Sequence, residues 1–208
     1  MGNTPKRSKS IVTVGFEKIS MILIQLITSV VLACLLTPSD YGTIAMISIF
    51  ISLSSALVEA GLGGSLVYYK NVDDKDYSTV FWLNIISSIV LYLIIFCISS
   101  TVSDFYRHTE LSRVLKISGL SIVFSAMGTI QLMIMYKILF KQLAYISIIS
   151  YVVSAIIAIV LAYQGLGVWA LVAQQVLISV IKSFLLIIFN RFVPSLFFSK
   201  ALVQHIPL

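Results

Sequence analysis

QLAYISIISYVVSAIIAIVLAYQGLGVWALVAQQVLISVI, residues 142–181, runs for 40 positions without a charged side chain. Near its middle, QGLG (164–167) is typical of a turn between two apolar segments. The hydrocarbon core of a bilayer is about 30 Å thick, and about 20 helical residues cross it. The stretch therefore predicts two transmembrane helices joined by a tight turn.

Four more segments lack charge: 19–39, 41–58, 77–103 and 117–136. None alternates apolar and polar residues as barrel strands do, so we expect helices. The predicted fold is an all-α integral membrane protein, a polytopic bundle of six transmembrane helices. We place a basic N-terminus at 1–15, the bundle at 16–190 and a C-terminal tail at 191–208. The predicted spans are 16–36, 43–66, 79–101, 115–136, 143–163 and 168–190.

The composition agrees with a lipid environment. Hydrophobic residues make up 59% of the 208 residues and charged residues 11%, whereas soluble domains carry about 25% charged residues. Six spans fill the chain and leave no room for a soluble catalytic domain. The net charge of +6 comes from basic residues that flank apolar segments, which indicates topology control and no nucleic-acid partner. Cys34 and Cys97 lie inside apolar segments and predict neither a disulfide nor a metal site.

Basic residues also predict the orientation. With the N-terminus in the cytoplasm, nine loop and tail cations lie inside and three lie outside, which the positive-inside rule favours. We therefore expect a multi-pass protein of a bacterial cytoplasmic (inner) membrane with both termini cytoplasmic. The nine are Lys6, Arg7, Lys9, Lys70, Lys75, Lys137, Lys141, Arg191 and Lys200, and the three are Arg107, Arg113 and Lys116.

No enzyme motif is found. The sequence has no glycine-rich phosphate loop followed by lysine, and His108 and His205 have no ligand partner at helical spacing. Asp73, Asp74 and Asp76 are interleaved with Lys70 and Lys75, which favours a solvated loop over a catalytic or metal-binding carboxylate pair. We therefore predict no catalytic residue, cofactor or metal.

Polar residues recur at helical spacing within the spans, so each set shares one face of its helix. Ionisable groups in a membrane cost about 2.5–3.5 kcal/mol on insertion scales and usually face a cavity or a partner. We expect a water-filled central cavity lined by these faces, although small polar residues also serve helix packing. For Lys182, snorkelling, cavity lining and an ion pair with Glu59 stay open. The candidate cavity residues are Gln25, Ser52, Ser55, Glu59, Asn84, Gln175, Ser179 and Lys182.

Four segments carry a resemblance to a known family. LTPSDYGTIAM (36–46) resembles the turn between its first two helices, and LVEAGLGGSLVYYK (57–70) resembles the end of helix two with an acidic residue and paired glycines. YSTVFWLNI (77–85) is similar to the entry to helix three, and GLGVWALVAQQV (165–176) to the loop into helix six. In their order and spacing they resemble the bacterial polysaccharide flippases of the MOP exporter superfamily.

The resemblance implies a carrier without an enzymatic step. It implies alternating access that moves undecaprenyl-diphosphate-linked oligosaccharides across the membrane for O-antigen, exopolysaccharide, capsule or teichuronic acid. The implied partners are this lipid-linked substrate, membrane lipids and a coupling ion, H⁺ or Na⁺. Glu59 matches the acidic residue of the helix-two segment, and Lys182 is a candidate phosphate-facing cation.

Family members have two six-helix lobes, whereas this chain holds one. A truncated reading frame, a fragment and a dimerising half-transporter all fit, and we favour truncation, with a second lobe or a homodimer partner missing. Three other functions stay open. They are an exporter of drugs or lipid II, a membrane scaffold of a polysaccharide assembly complex, and a membrane-embedded glycosyltransferase or ligase. The ionisable residues within spans argue against the scaffold.

Overall fold

The computed structural model describes residues 4–68, 74–128 and 140–190, with side chains for 18–58, 81–127 and 142–189. Every element in these ranges is a helix, so the predicted all-α polytopic membrane fold is confirmed. The helices are α1 (Thr4–Leu35), α2 (Pro38–Tyr68), α3 (Asp74–Tyr106), α4 (Thr109–Ser125), α5 (Phe140–Tyr163) and α6 (Val168–Asn190).

Five of these helices are long and apolar enough to cross a membrane. The exception is α4, whose predicted span was 115–136. This helix begins at Thr109 and gives way at Ala126–Gly128 to a 3-10 turn, and residues 129–139 lie outside the described part of the chain. The carbonyl of Phe124, near the end of α4, accepts a hydrogen bond from Ser183 Oγ of α6 at 2.6 Å. A side chain of α6 therefore supplies a hydrogen bond to a backbone carbonyl near the end of α4.

Between the predicted third and fourth spans, 79–101 and 115–136, the structure has a break of only two residues. Helix α3 ends at Tyr106, Arg107 takes a left-handed φ of 53°, and α4 begins at Thr109. The N–H of His108 donates to the carbonyl of Ser103 at 3.1 Å, and the N–H of Arg107 donates to the carbonyl of Asp104 at 3.2 Å. These two hydrogen bonds form a Schellman motif at the end of α3. The polar residues on either side of this break are therefore helical, and both helices extend beyond their apolar segments.

The turn between α1 and α2 is built by a reciprocal cap. Thr37 precedes Pro38 at the first helical position, and Asp40 is three residues on. Thr37 Oγ1 donates to Asp40 Oδ2 at 2.7 Å, while the N–H of Asp40 donates back to Thr37 Oγ1 at 3.3 Å. The sequence TPSD (37–40) therefore begins α2 at a fixed point directly after α1.

Helix α6 packs against α2, α4 and α5. The packed pairs are α1 with α5, α5 with α6, α4 with α6, α3 with α4, and α2 with α3, α4 and α6. The core clusters are Ile47, Val114, Ile122 and Val172 between α2, α4 and α6; Phe81, Ile146 and Leu186 between α3, α5 and α6; and Leu32, Ala158 and Ala170 between α1, α5 and α6. Although α1 and α2 share a turn, they are not a packed pair within the described residues.

Candidate functional site

One face of α2 carries Tyr41, Ser48 and Ser52 at i, i+7 and i+11, which is a single helical stripe. Both serines are exposed. The Tyr41 hydroxyl donates to the backbone carbonyl of Ser29 on α1 at 3.4 Å. The Tyr41 side chain thus reaches α1, and from the shared stripe we infer that Ser48 and Ser52 lie on the side of α2 nearer to α1.

The matching polar residues of α1 are Gln25 and Ser29, one turn apart and both exposed. Tyr41 contacts the carbonyl of Ser29 itself, and Gln25 is one turn away from it. Helix α1 packs on α5, and in the described part of the chain α1 and α2 are not a packed pair. We infer from the exposure of both stripes that they border one gap, which opens away from the shared turn. We call this gap the α1–α2 cleft and define it by Gln25, Ser29, Ser48 and Ser52.

The turn end of the cleft is held to the turn between α5 and α6. A Cβ placed on Gly167 would lie 2.9 Å from Asp40 Oδ1, so the carboxylate rests against this glycine. Gly167 has a φ of +55° and directly precedes α6, whose N-terminal dipole favours an adjacent negative charge. Asp40 is itself fixed by the cap with Thr37. The cleft is thus anchored at one end and unpacked along its length.

The serine hydroxyls of the cleft donate to their own helix. Ser48 Oγ donates to the carbonyl of Ala45 at 2.8 Å, and Ser52 Oγ to that of Ile49 at 3.1 Å. Each oxygen keeps lone pairs that can accept a hydrogen bond, and Gln25 adds donors and an acceptor. The cleft therefore offers hydrogen-bonding groups, without charge, on the surface of two apolar spans.

The predicted α6 stripe lies on a different surface. Gln175, Ser179 and Lys182 are half-buried, and they share a face with Val168 and Leu186, which are buried. The stripe therefore points into the bundle. Residues 173–182 are all half-buried, so the neighbours surround this part of α6 without closing over it. Ser179 Oγ donates to the carbonyl of Gln175 at 3.3 Å, and Lys182 also has an interaction partner.

The remaining predicted residues are dispersed. Ser55 is half-buried on α2, one turn beyond Ser52. Asn84 of α3 is buried, and its Oδ1 accepts no hydrogen bond in the structure. Glu59 falls at i+18 from Tyr41 on the stripe of α2, and its side chain lies outside the described residues. Gln25 and Ser52 are thus exposed on α1 and α2, whereas the α6 stripe is half-buried and Asn84 is buried.

Sequence reasoning missed Tyr41 and Asp40. Tyr41 extends the serine stripe of α2 by two turns, so its spacing carried the signal. Asp40 follows Thr37 at the spacing of a capping box, which sequence patterns also indicate. Its contact with Gly167 joins segments far apart in the chain and has no local signature. In the part of the chain that the structure describes, no group of three or more His, Cys, Asp or Glu could hold a metal ion.

Several relatives are similar to this chain. The succinoglycan biosynthesis transport protein ExoT of Rhizobium meliloti is 25% identical over 177 residues, which cover 85% of this chain and 36% of the relative. The teichuronic acid biosynthesis protein TuaB of Bacillus subtilis is 24% identical over 164 residues, 78% of this chain and 34% of that protein. The lipopolysaccharide biosynthesis protein WzxC of Escherichia coli is 24% identical over 120 residues, 56% of this chain and 24% of that protein.

The chain thus spans about a third of the length of the first two of these relatives. No solved structure matches it significantly. The model of a family described as "Polysaccharide biosynthesis protein" matches residues 31–206, which includes most of the helical bundle. The family resemblance of the four segments is confirmed, and this multi-pass membrane protein belongs to the polysaccharide biosynthesis protein family.

Proposed function

We propose that this chain forms one lobe of a flippase for undecaprenyl-diphosphate-linked oligosaccharides. The observation that carries the proposal is the α1–α2 cleft, where Gln25, Ser29, Ser48 and Ser52 are exposed on two otherwise apolar spans. The serine hydroxyls donate to their own helix, so their acceptor lone pairs and the Gln25 amide are the groups that water or a polar ligand in the cleft would satisfy. The names of the relatives, which refer to succinoglycan transport and to lipopolysaccharide and teichuronic acid biosynthesis, support a saccharide ligand.

The cleft suits the two parts of such a substrate. Sugar hydroxyls both donate and accept, and so do the hydroxyl and amide groups of the cleft. The other faces of the same helices are apolar, with Leu23 on α1 and Leu53 on α2 exposed. The polyprenyl tail would stay among lipids beside these leucines while the saccharide entered the cleft.

A cationic side chain is needed to bind the diphosphate of the substrate. A titratable or ion-binding side chain is needed to couple transport to an ion. We assign these roles to Lys182 and Glu59, with H⁺ or Na⁺ as the coupling ion. Both are ionisable residues within helices of the bundle. The basic termini and loops support cytoplasmic termini in an inner membrane, so that the saccharide enters from the cytoplasm.

Alternating access requires a second lobe that faces the cleft. The relatives are long enough to hold one, because this chain covers 36% of ExoT and 34% of TuaB. A second lobe or a second copy of this chain would then close the open side of the cleft. No step of this mechanism forms or breaks a covalent bond.

Binding tests the proposal directly. The purified chain in nanodiscs is titrated with undecaprenyl diphosphate carrying N-acetylglucosamine, and the bound ligand is counted by native mass spectrometry. Replacing Gln25 and Ser52 by leucine removes two hydrogen-bonding side chains, each expected to weaken binding about fivefold. The matched control replaces Leu23 and Leu53, on other faces of the same helices, by methionine and should bind as the parent chain does.

The alternatives give different results. Equal binding by the cleft and control variants contradicts the cleft as the saccharide site. A chain that binds ethidium but not the lipid-linked sugar is an exporter of another substrate class. A chain that binds neither ligand, alone or with a second lobe, fits the scaffold.

A further inference from the structure

The pair α3 and α4 carries two cations on its outer surface. Arg113 is exposed, and Lys116 is half-buried one turn further along α4. Within the described residues, neither forms an ion pair with a carboxylate, although Glu110 lies one turn before Arg113. Cations near the end of a membrane helix extend their charged groups toward the lipid headgroups.

The surroundings of these cations are apolar and exposed. Ile117 and Leu120 continue the face of Arg113 along α4, and both are exposed. On α3, Leu93 and Phe96 are also exposed. A surface of this composition meets lipid chains, so the two cations emerge beside the lipids.

The ammonium group of Lys116 has a defined position. Its Nζ lies 4.8 Å from the centre of the Phe96 ring, a cation–π contact between α4 and α3. Lys116 is seven residues after the start of α4, about 10 Å along the helix. The contact keeps the charge at the surface of the helix pair, near one edge of the bilayer, without neutralising it.

The helix pair leaves no entry between α3 and α4. The ring of Tyr92 would lie 3.2 Å from a Cβ on Gly119, and Ser112 Oγ donates to Ser99 Oγ at 3.4 Å. The seam is closed on both sides of Lys116 along α4. A ligand of the two cations must therefore approach from the lipid side.

We propose that Arg113 and Lys116 bind the phosphate of an anionic phospholipid in the leaflet at the α3–α4 turn. The charge of the pair complements a headgroup phosphate, and the apolar neighbours suit its acyl chains. Lys and Arg side chains at the membrane surface attract anionic headgroups. The site is distinct from the α1–α2 cleft and would anchor the lobe in the leaflet.

The test uses the whole chain in detergent with added phosphatidylglycerol, counted by native mass spectrometry. Arg113→Gln and Lys116→Gln should each weaken its binding about fivefold, the effect of one cation near a headgroup. Lys116→Arg keeps the charge and should bind within about twofold of the parent chain. Lys18→Gln removes an exposed cation of α1 and should leave binding unchanged.

Each other outcome overturns the proposal. Unchanged binding in both Arg113→Gln and Lys116→Gln excludes the pair as the site. Equal weakening by Lys18→Gln shows general surface attraction, and equal binding of phosphatidylcholine shows no preference for anionic lipid. Displacement by inorganic phosphate assigns the pair to a free anion. If Lys116→Gln does not fold, the comparison of Arg113→Gln with Lys18→Gln decides.

Discussion

The pairs α1–α2 and α3–α4 are both joined by two-residue turns and both carry serines that face the partner helix, yet one is open and the other closed. In α3–α4, Gly119 lets the Tyr92 ring approach, and Ser99 and Ser112 meet at 3.4 Å. In α1–α2, the bulky Tyr41 stands between the helices near the turn, and beyond it they do not pack. Serine stripes alone therefore do not determine whether two membrane helices close. In α3–α4 the glycine against the Tyr92 ring lets the two helices approach, as small residues do at membrane helix interfaces.

The largest expected effect comes from opening the closed pair. Gly119→Leu places a side chain where the Tyr92 ring lies, and overpacking of this kind costs about 1–3 kcal/mol. The measurement is the free energy of unfolding in mixed detergent micelles, followed by far-ultraviolet circular dichroism. Gly42→Leu is the matched control, because no atom lies within 4 Å of its Cβ position. Equal effects of the two substitutions would contradict the close approach.

The next effect concerns the anchored end of the open pair. Gly165 and Gly167 both have positive φ, so either alanine substitution costs about 1–2 kcal/mol from backbone strain. Only at Gly167 does the new Cβ also meet Asp40 Oδ1, at 2.9 Å. Gly167→Ala should therefore destabilise the chain more than Gly165→Ala in the same unfolding assay. If the two are equal, the Asp40 contact does not hold the turns together.

The smallest effect is at Tyr41. Tyr41→Phe keeps the ring between α1 and α2 and removes only the hydrogen bond to Ser29, which is long at 3.4 Å. We expect the free energy of unfolding to fall by about 0.5 kcal/mol, the low end for a hydrogen bond.

Tyr41→Ala removes the ring as well and should let α1 approach α2. The approach would be measured as a shorter distance between spin labels at positions 23 and 53. An unchanged distance would show that Tyr41 does not keep the cleft open.

Much of the fold could be predicted because the length of each segment without charged residues indicates whether it can form a transmembrane helix. The long apolar segments became α1, α2, α3, α5 and α6. The start of α4 could not be predicted, because Glu110, Arg113 and Lys116 indicate a loop to any rule that equates charge with water. These side chains belong to a helix whose first turns lie near the edge of the bilayer.

The candidate site could be predicted only in part. Helical spacing predicts polar faces that carry Gln25, Ser52 and Ser179, but spacing does not say which helix covers a face, so their lining of a cavity stays a prediction. Asn84, predicted to line the same cavity, is buried in the structure. That α1 and α2 face each other follows from the Tyr41–Ser29 hydrogen bond, a tertiary contact without a sequence period.

The most direct test of the account is whether water reaches the α1–α2 cleft. Cys34 and Cys97, both exposed, are first replaced by alanine. Single cysteines are then placed at Ser52 in the cleft, at Leu53 on the lipid-facing side and at Ser54, which is buried. The account predicts that a membrane-impermeant thiol reagent, applied to inverted vesicles and to whole cells, labels position 52 far faster than 53 or 54 from at least one side. Labelling at position 52 that is as slow as at position 53 from both sides would contradict a polar, hydrated cleft, and with it the proposed saccharide site.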